Sequence, residues 1–165
     1  MKTLLSTIIL TAISIGFLPQ VNAAEAEVVW QNSDKYRDVN AGNGNRIRFK
    51  ENTFAQLEKH FSTLAEKLPE GYMLKIQVDD LDLAGDVHIG GINQIRIVKD
   101  IFYPRIKFSY QLLSPNKTVE TENTIDLKDM SFMNHSSLKY NNSSLSYEKK
   151  MLDDWFKETF SEYIL

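Results

Sequence analysis

The sequence predicts an α+β domain, in which a mostly antiparallel sheet of four to five strands carries two amphipathic helices on one face. Two segments place apolar residues at the helical spacing of three and four, and the segments between them alternate apolar and polar residues with the strand period of two. Tight turn signals separate consecutive strands, which is typical of an antiparallel meander.

An edge strand and a helix are the first predicted elements. Val28-Val29-Trp30 is a short apolar run, and the polar residues after it lead to a glycine-rich turn at residues 41–45. The helix is predicted over residues 52–68, where five apolar side chains share one stripe: Phe54, Leu57, Phe61, Leu64 and Leu68. A stripe of this size must be buried against other elements, so the helix is expected to lie on a sheet.

Four strands are predicted after this helix. Residues 72–78 alternate, with Leu74, Ile76 and Val78 on the buried face. A second strand is expected around residues 95–101. Residues 105–113 and 118–127 form the third and fourth strands, joined by the turn signal Ser114-Pro115-Asn116-Lys117.

A second amphipathic helix is predicted near the end of the chain, after a polar loop at residues 133–146. Its apolar stripe consists of Met151, Leu152, Trp155, Phe156, Thr159, Phe160 and Tyr163. Charged residues, Asp153 among them, are expected on the outward side. The aromatic stripe favours core packing, and a partner-binding helix is the alternative.

Residues 1–23 have the three parts of a secretory signal: a basic start at Lys2, an apolar stretch, and Val21-Asn22-Ala23 before Ala24. We expect cleavage after Ala23 and export to the periplasm. The alternative, a membrane anchor, is disfavoured because polar residues interrupt an apolar stretch shorter than the ~20 residues that a span requires. Cleavage would leave residues 24–165 as a single α+β domain without a membrane span.

Composition excludes several classes of function. The sequence has no cysteine, which excludes disulfides, thiolate metal sites and a cysteine nucleophile. Without the leader, 18 basic residues face 22 acidic ones, and this balance argues against binding to nucleic acid. No serine-nucleophile or nucleotide-binding motif is present. Catalysis is therefore less expected than binding, and no cofactor is expected.

The acidic segment, residues 79–88, is the densest group of polar side chains. Asp80, Asp82, Asp86 and His88 are candidate ligands for a divalent cation, because hard cations bind clustered carboxylate oxygens. Their spacing does not match a helix-loop-helix calcium loop. The favoured alternative is structural: if the alternation of the preceding strand continues, Asp80 and Asp82 lie on its buried face and pair with arginines.

Arg96 and Arg105 are the expected partners of these carboxylates. Between them, Phe102 and Tyr103 are candidates for a protein-binding surface at a turn, and the alternative is a bulged corner that folds both rings into the core. The three histidines, His60, His88 and His135, are expected to be solvated, since no two of them have the spacing of a zinc helix.

Several segments resemble the bacterial family called domain of unknown function 3016. They are Val29-Trp30, Lys35-Tyr36-Arg37-Asp38-Val39, Val78-Asp79-Asp80-Leu81-Asp82-Leu83-Ala84-Gly85, Ile95-Arg96-Ile97-Val98-Lys99-Asp100-Ile101-Phe102-Tyr103-Pro104-Arg105-Ile106 and Tyr147-Glu148-Lys149-Lys150-Met151-Leu152-Asp153-Asp154-Trp155. The resemblance covers essentially the whole mature chain. It implies a bacterial exported protein, periplasmic in a Gram-negative cell, and brings no known activity or ligand.

The sequence therefore favours an exported accessory module that binds a protein partner in the cell envelope. The alternative is a ligand- or metal-binding protein, or a hydrolase, that uses the acidic segment.

Overall fold

The computed structural model describes residues 23–36, 38–87, 94–134 and 143–164. It confirms the α+β class. The helices and strands are β1 (Glu25–Trp30), α1 (Arg46–Ala65), β2 (Met73–Asp82), β3 (Asp86–Val87), β4 (Arg96–Ile97), β5 (Arg105–Leu113), β6 (Val119–Lys128) and α2 (Ser146–Thr159). Short 3₁₀ turns cover Ser33–Lys35 and Phe132–Asn134.

Four strands form the main sheet, in the order β1-β2-β5-β6. β5 and β6 are antiparallel neighbours, as the meander predicts, and β2 takes the place beside β5 that was expected for residues 95–101. β1 pairs with β2 in parallel. β3 and β4 form a separate two-stranded sheet. The strands predicted at residues 105–113 and 118–127 are therefore confirmed to within one residue.

Helix α1 begins at Arg46, six residues before its predicted start. Asn45 caps it, since the side-chain oxygen of Asn45 accepts a hydrogen bond from the backbone N–H of Arg48 at 2.9 Å. The predicted stripe is confirmed for Leu57, Phe61 and Leu64, which are buried, and Phe54 stacks on Trp30. Leu68 is also buried, but it lies beyond the end of the helix at Ala65.

Both helices pack on the same face of the sheet. The ring of Phe108 on β5 contacts Phe61 of α1 at 6.2 Å and Trp155 of α2 at 4.8 Å between centroids. Trp155 also contacts Tyr110 at 5.4 Å. These edge-on contacts bury large apolar areas at the centre of the domain. The aromatic stripe of α2 belongs to the core, as favoured.

The expected strand at residues 95–101 is largely wrong, because only Arg96 and Ile97 are in a strand, and they pair with β3 outside the main sheet. A turn follows, in which the N–H of Phe102 donates to the carbonyl of Lys99 at 3.0 Å. Apolar content without a two-residue alternation does not specify a strand, and the turn at residues 99–102 ends β4 after two residues.

The alternation in β2 does not continue to Asp82. A β-bulge lies between Val78 and Asp80, and it shifts the register by one residue. Leu81 then becomes buried, while Asp80 and Asp82 are only partly buried and lie on the opposite face. The expectation that both carboxylates share the face of Leu74 and Val78 is therefore wrong.

The expectation that His60 is solvated is also wrong. His60 is 8% exposed, and its Nε2 lies 3.1 Å from Asp153 Oδ1 and 3.1 Å from the carbonyl oxygen of Lys149. Asp153, predicted on the outward side of α2, faces α1 instead. The pair joins the two helices, since a polar ring is buried only where it finds polar partners.

Some predictions fall outside the described residues. The predicted signal lies outside them except for Ala23, and His88 and His135 lie outside them as well. Within the described ranges, every helix is too short or too polar to cross a bilayer.

Candidate functional site

A cleft lies at the end of the sheet where β2 and β6 finish and β5 begins. The loops that follow β1, β2 and β4 converge there, and Asp38 runs beside Asp82 in a parallel bridge. The cleft has a volume of about 450 Å³. It is lined by Asp38, Asn40, Asp82, Gly85, Asp86, Val87, Ile101, Phe102, Tyr103 and Arg105.

Arg96 holds the back of the cleft together. Its Nη1 donates to Asp38 Oδ2 at 2.6 Å and to the carbonyl oxygen of Gly85 at 2.8 Å, and its Nη2 donates to the carbonyl oxygen of Asn40 at 3.2 Å. The side chains of Arg96 and Asp38 are only 21% and 14% exposed. One guanidinium therefore fixes two separate loops, which its planar array of donors allows.

Gly85 is required by the shape of the turn after β2. Its φ is +84°, and a Cβ atom there would lie 2.8 Å from the carbonyl oxygen of Ile97. Its N–H donates to the carbonyl of Phe102 at 2.9 Å. The turn is thereby locked against the segment that carries Arg96 and Phe102.

Glu148, in the first turn of α2, binds the turn that follows β2. Its carboxylate is buried, and Oε1 accepts from the backbone N–H of Ala84 at 2.7 Å. Burial raises the pKa of Glu148, while the Ala84 hydrogen bond and the charges of Arg96 and Lys149 act in the opposite direction. Helix α2 is thus connected directly to the wall of the cleft.

Arg105 lies at the mouth of the cleft. It forms two hydrogen bonds to Asp126, at 2.6 Å from Nε and 2.7 Å from Nη2, and this pairing raises the pKa of Arg105. Asp82 is its neighbour across the β2–β5 pairing, and the charge of Asp80 also raises the Arg105 pKa. The predicted pairing of Asp80 and Asp82 with arginines stays a prediction, and Arg96 has Asp38 as its partner.

The proposed metal ligands do not converge within the described part of the chain. Those residues contain no group of three or more carboxylate or imidazole side chains arranged to hold a metal ion. Asp86 is exposed and accepts a hydrogen bond from the N–H of Val87 at 2.7 Å. His88 lies outside the described residues, so the divalent-cation hypothesis stays a prediction.

Phe102 and Tyr103 are half-buried on one side of the cleft. They are therefore neither fully exposed at a turn nor folded into the core. The segment before and after β4 exposes three aliphatic side chains, which we call the apolar rim. They are Ile95, Val98 and Ile101, with exposed fractions of 60%, 40% and 67%.

Sequence reasoning missed Asp38 and Glu148 as parts of this site. Each lies in a segment that carries the family resemblance, at residues 35–39 and 147–155, and this was the available signal. The structure brings these segments together with residues 82–85 and 96–105, so the cleft unites four separate parts of the motif-bearing sequence.

A search of curated proteins and a search of solved structures found no match to the chain. A family model, described as a protein of unknown function, matches residues 24–158 and so spans all the strands and nearly all of α2. The chain therefore belongs to the DUF3016 family.

Proposed function

We propose that this protein is an exported accessory module that binds a protein partner of the cell envelope through the cleft and its apolar rim. The observation that carries the proposal is the exposure of Ile95, Val98 and Ile101 within the short segment 95–101, on both sides of β4. Single exposed aliphatic residues are ordinary, but three on one short segment, of which Ile101 lines the cleft, are typical of an interaction surface.

The surroundings of the rim support this proposal. Protein interfaces combine an apolar centre, in which aromatic side chains are common, with a polar edge. Phe102 and Tyr103 would supply the aromatic part, and the cleft carboxylates the polar edge. The segment that carries the rim is held by the hydrogen bonds from Arg96 to Asp38 and from the N–H of Gly85 to the carbonyl of Phe102. Ordering this segment on binding would therefore cost little free energy.

Charge indicates the chemistry of the partner. Three carboxylates and one guanidinium line the cleft. Arg96 and Asp126 pair with lining residues, and including them gives four carboxylates against two guanidinium groups. A partner segment with a lysine or arginine side chain next to apolar residues would complement both the cleft and the rim.

Export is the less direct part of the proposal. It is supported by the signal-like composition of residues 1–23 and by the resemblance to an exported bacterial family. Mass spectrometry of the N-terminus of protein isolated from cells would test it. A mature chain beginning at Ala24 is expected, and a periplasmic fraction retaining Met1 would contradict it.

In-cell crosslinking of the tagged protein tests the binding function. We expect Ile101→Ser to lose a specific crosslinked partner, because Ile101 is the most exposed residue of the rim. The matched control is Val119→Ser, which replaces another exposed β-branched residue, 44% exposed, at the opposite end of the sheet. Equal loss in both variants, or no partner with the wild-type protein, would contradict the proposal.

A small cationic ligand or a divalent cation is a second candidate, favoured by the excess of carboxylates in the cleft. A ligand specific for the native state must raise the melting temperature. Thermal unfolding with calcium, with magnesium and with a chelator tests this, with Asp82→Asn as the variant. An increase that Asp82→Asn abolishes would favour this candidate over protein binding, whereas identical curves would exclude both ions.

A further inference from the structure

We propose that Glu148 is a proton-sensitive latch, which holds the cleft wall at residues 84–85 against helix α2 and releases that wall when the carboxyl group loses its proton. The latch would regulate the cleft of the proposed function, but its own operation needs no partner. It can therefore be tested whether or not the binding proposal holds.

The latch is a single contact between distant parts of the chain. Glu148 is 3% exposed, and its Oε1 accepts from the N–H of Ala84 at 2.7 Å across 64 residues of sequence. Ala84 is 6% exposed, so water does not replace this bond while the wall is closed. The N–H of Ala84 would be left unsatisfied if Glu148 were removed, which is a costly state for a buried donor.

The contact extends into the cleft through Arg96. The carbonyl oxygens of Ala84 and Gly85 accept from Arg96 Nη1 at 3.4 and 2.8 Å. The same nitrogen binds Asp38, which lines the cleft. Displacement of residues 84–85 would therefore remove acceptors from Arg96 and loosen Asp38 on the other side of the cleft.

Proton linkage gives the direction of the effect. Burial raises the pKa of Glu148 above its ordinary value of 4.5, despite the opposing contributions of Ala84, Arg96 and Lys149. An open wall would hydrate the carboxyl group and restore the ordinary value. Opening therefore releases a proton between the two pKa values, so rising pH favours the open state by up to about tenfold per pH unit.

Other charged groups surround the latch. Arg96 approaches from β4 and holds Asp38, and Lys149 is the neighbour on α2. From α1, His60 contacts the carbonyl of Lys149 and also Asp153. His60 is therefore the neighbouring group whose effect must be separated from that of Glu148.

Amide hydrogen exchange of the full mature chain provides the test. After correction for intrinsic exchange, the opening constant at Ala84 and Gly85 is expected to increase with pH in the wild-type protein. Glu148→Gln keeps an acceptor oxygen but cannot ionise, so its opening constant should not change with pH. His60→Gln is the control, and it should retain the wild-type dependence.

A wild-type opening constant that is independent of pH would overturn the proposal, and so would a dependence that persists in Glu148→Gln or is lost in His60→Gln. If Glu148→Gln does not fold, carboxyl carbon chemical shifts of the wild-type protein give the titration of Glu148 directly. A midpoint at or below 4.5 would then refute the latch. These measurements require no partner, so a failed crosslinking experiment leaves their outcome intact.

Discussion

Replacement of Arg96 by methionine should destabilise the domain far more than the same change at Arg105. Both arginines bind an aspartate at 2.6 Å. The Arg96 pair, however, is 21% and 14% exposed, whereas the Arg105 pair is 28% and 49% exposed. The difference in burial decides the outcome, because water can replace a lost partner only where it has access.

The magnitude follows from what Arg96→Met leaves behind. Asp38 would remain mostly buried without its counter-ion, and the carbonyls of Gly85 and Asn40 would lose their donors. Breaking a buried ion pair costs ~3 to 5 kcal/mol of unfolding free energy. Because this pair keeps some exposure, we expect a loss of about 3 kcal/mol, which lowers the melting temperature by roughly 10 °C. Arg105→Met should cost less than about 1 kcal/mol.

Urea denaturation followed by circular dichroism measures both values. A double-mutant cycle with Asp38→Asn should show a coupling of about 2 kcal/mol for Arg96. If Arg96→Met costs no more than Arg105→Met, or if Arg96 and Asp38 contribute additively, the Arg96 network does not hold the cleft together.

Gly85→Ala should lower the free energy of unfolding by about 2 kcal/mol, because φ is +84° and the new Cβ would meet the carbonyl of Ile97. The control is Gly44→Ala, where φ is not positive, and it should cost much less in the same urea titration. Phe108→Ala should cost ~3 to 5 kcal/mol through the cavity left between both helices and the sheet, and a smaller loss by calorimetry would argue against this packing. Since burial raises the pKa of Glu148, the folded state binds its proton more tightly, and this contribution to stability is lost as the pH rises through the folded pKa. The stability of Glu148→Gln relative to the wild-type protein should therefore increase with pH above 4.5, and a constant difference in chemical denaturation would refute the raised pKa.

Local patterns were sufficient for the core of this fold. The strand over residues 105–113 was predicted with its observed bounds, because strict alternation ends at a turn containing proline and asparagine. The stripes of both helices were likewise read from spacing alone, since each needs only one buried face. The bulge after Val78 was not predictable in this way, because no glycine or proline marks it.

The candidate site was harder to predict because its contacts are non-local. Asp38 binds Arg96 across 58 residues, and Glu148 binds Ala84 across 64. A carboxylate that finds a buried partner so far along the chain has the same local sequence as a solvated one. Thus Glu148, set among the charged residues that begin α2, gave no periodic signal of its burial.

The parallel pairing of β1 with β2 has a consequence for the order of folding. Glu25 pairs with Met73, so this contact closes a segment that contains the whole of α1. The hairpin of β5 and β6, by contrast, closes through the turn at residues 114–117. Closing a long loop costs more chain entropy than closing a short one, and long-range pairings form more slowly. We expect the hairpin to form early and β1 to dock late, with Val28 and Trp30 exposed to solvent until helix α1 and strand β2 are in place.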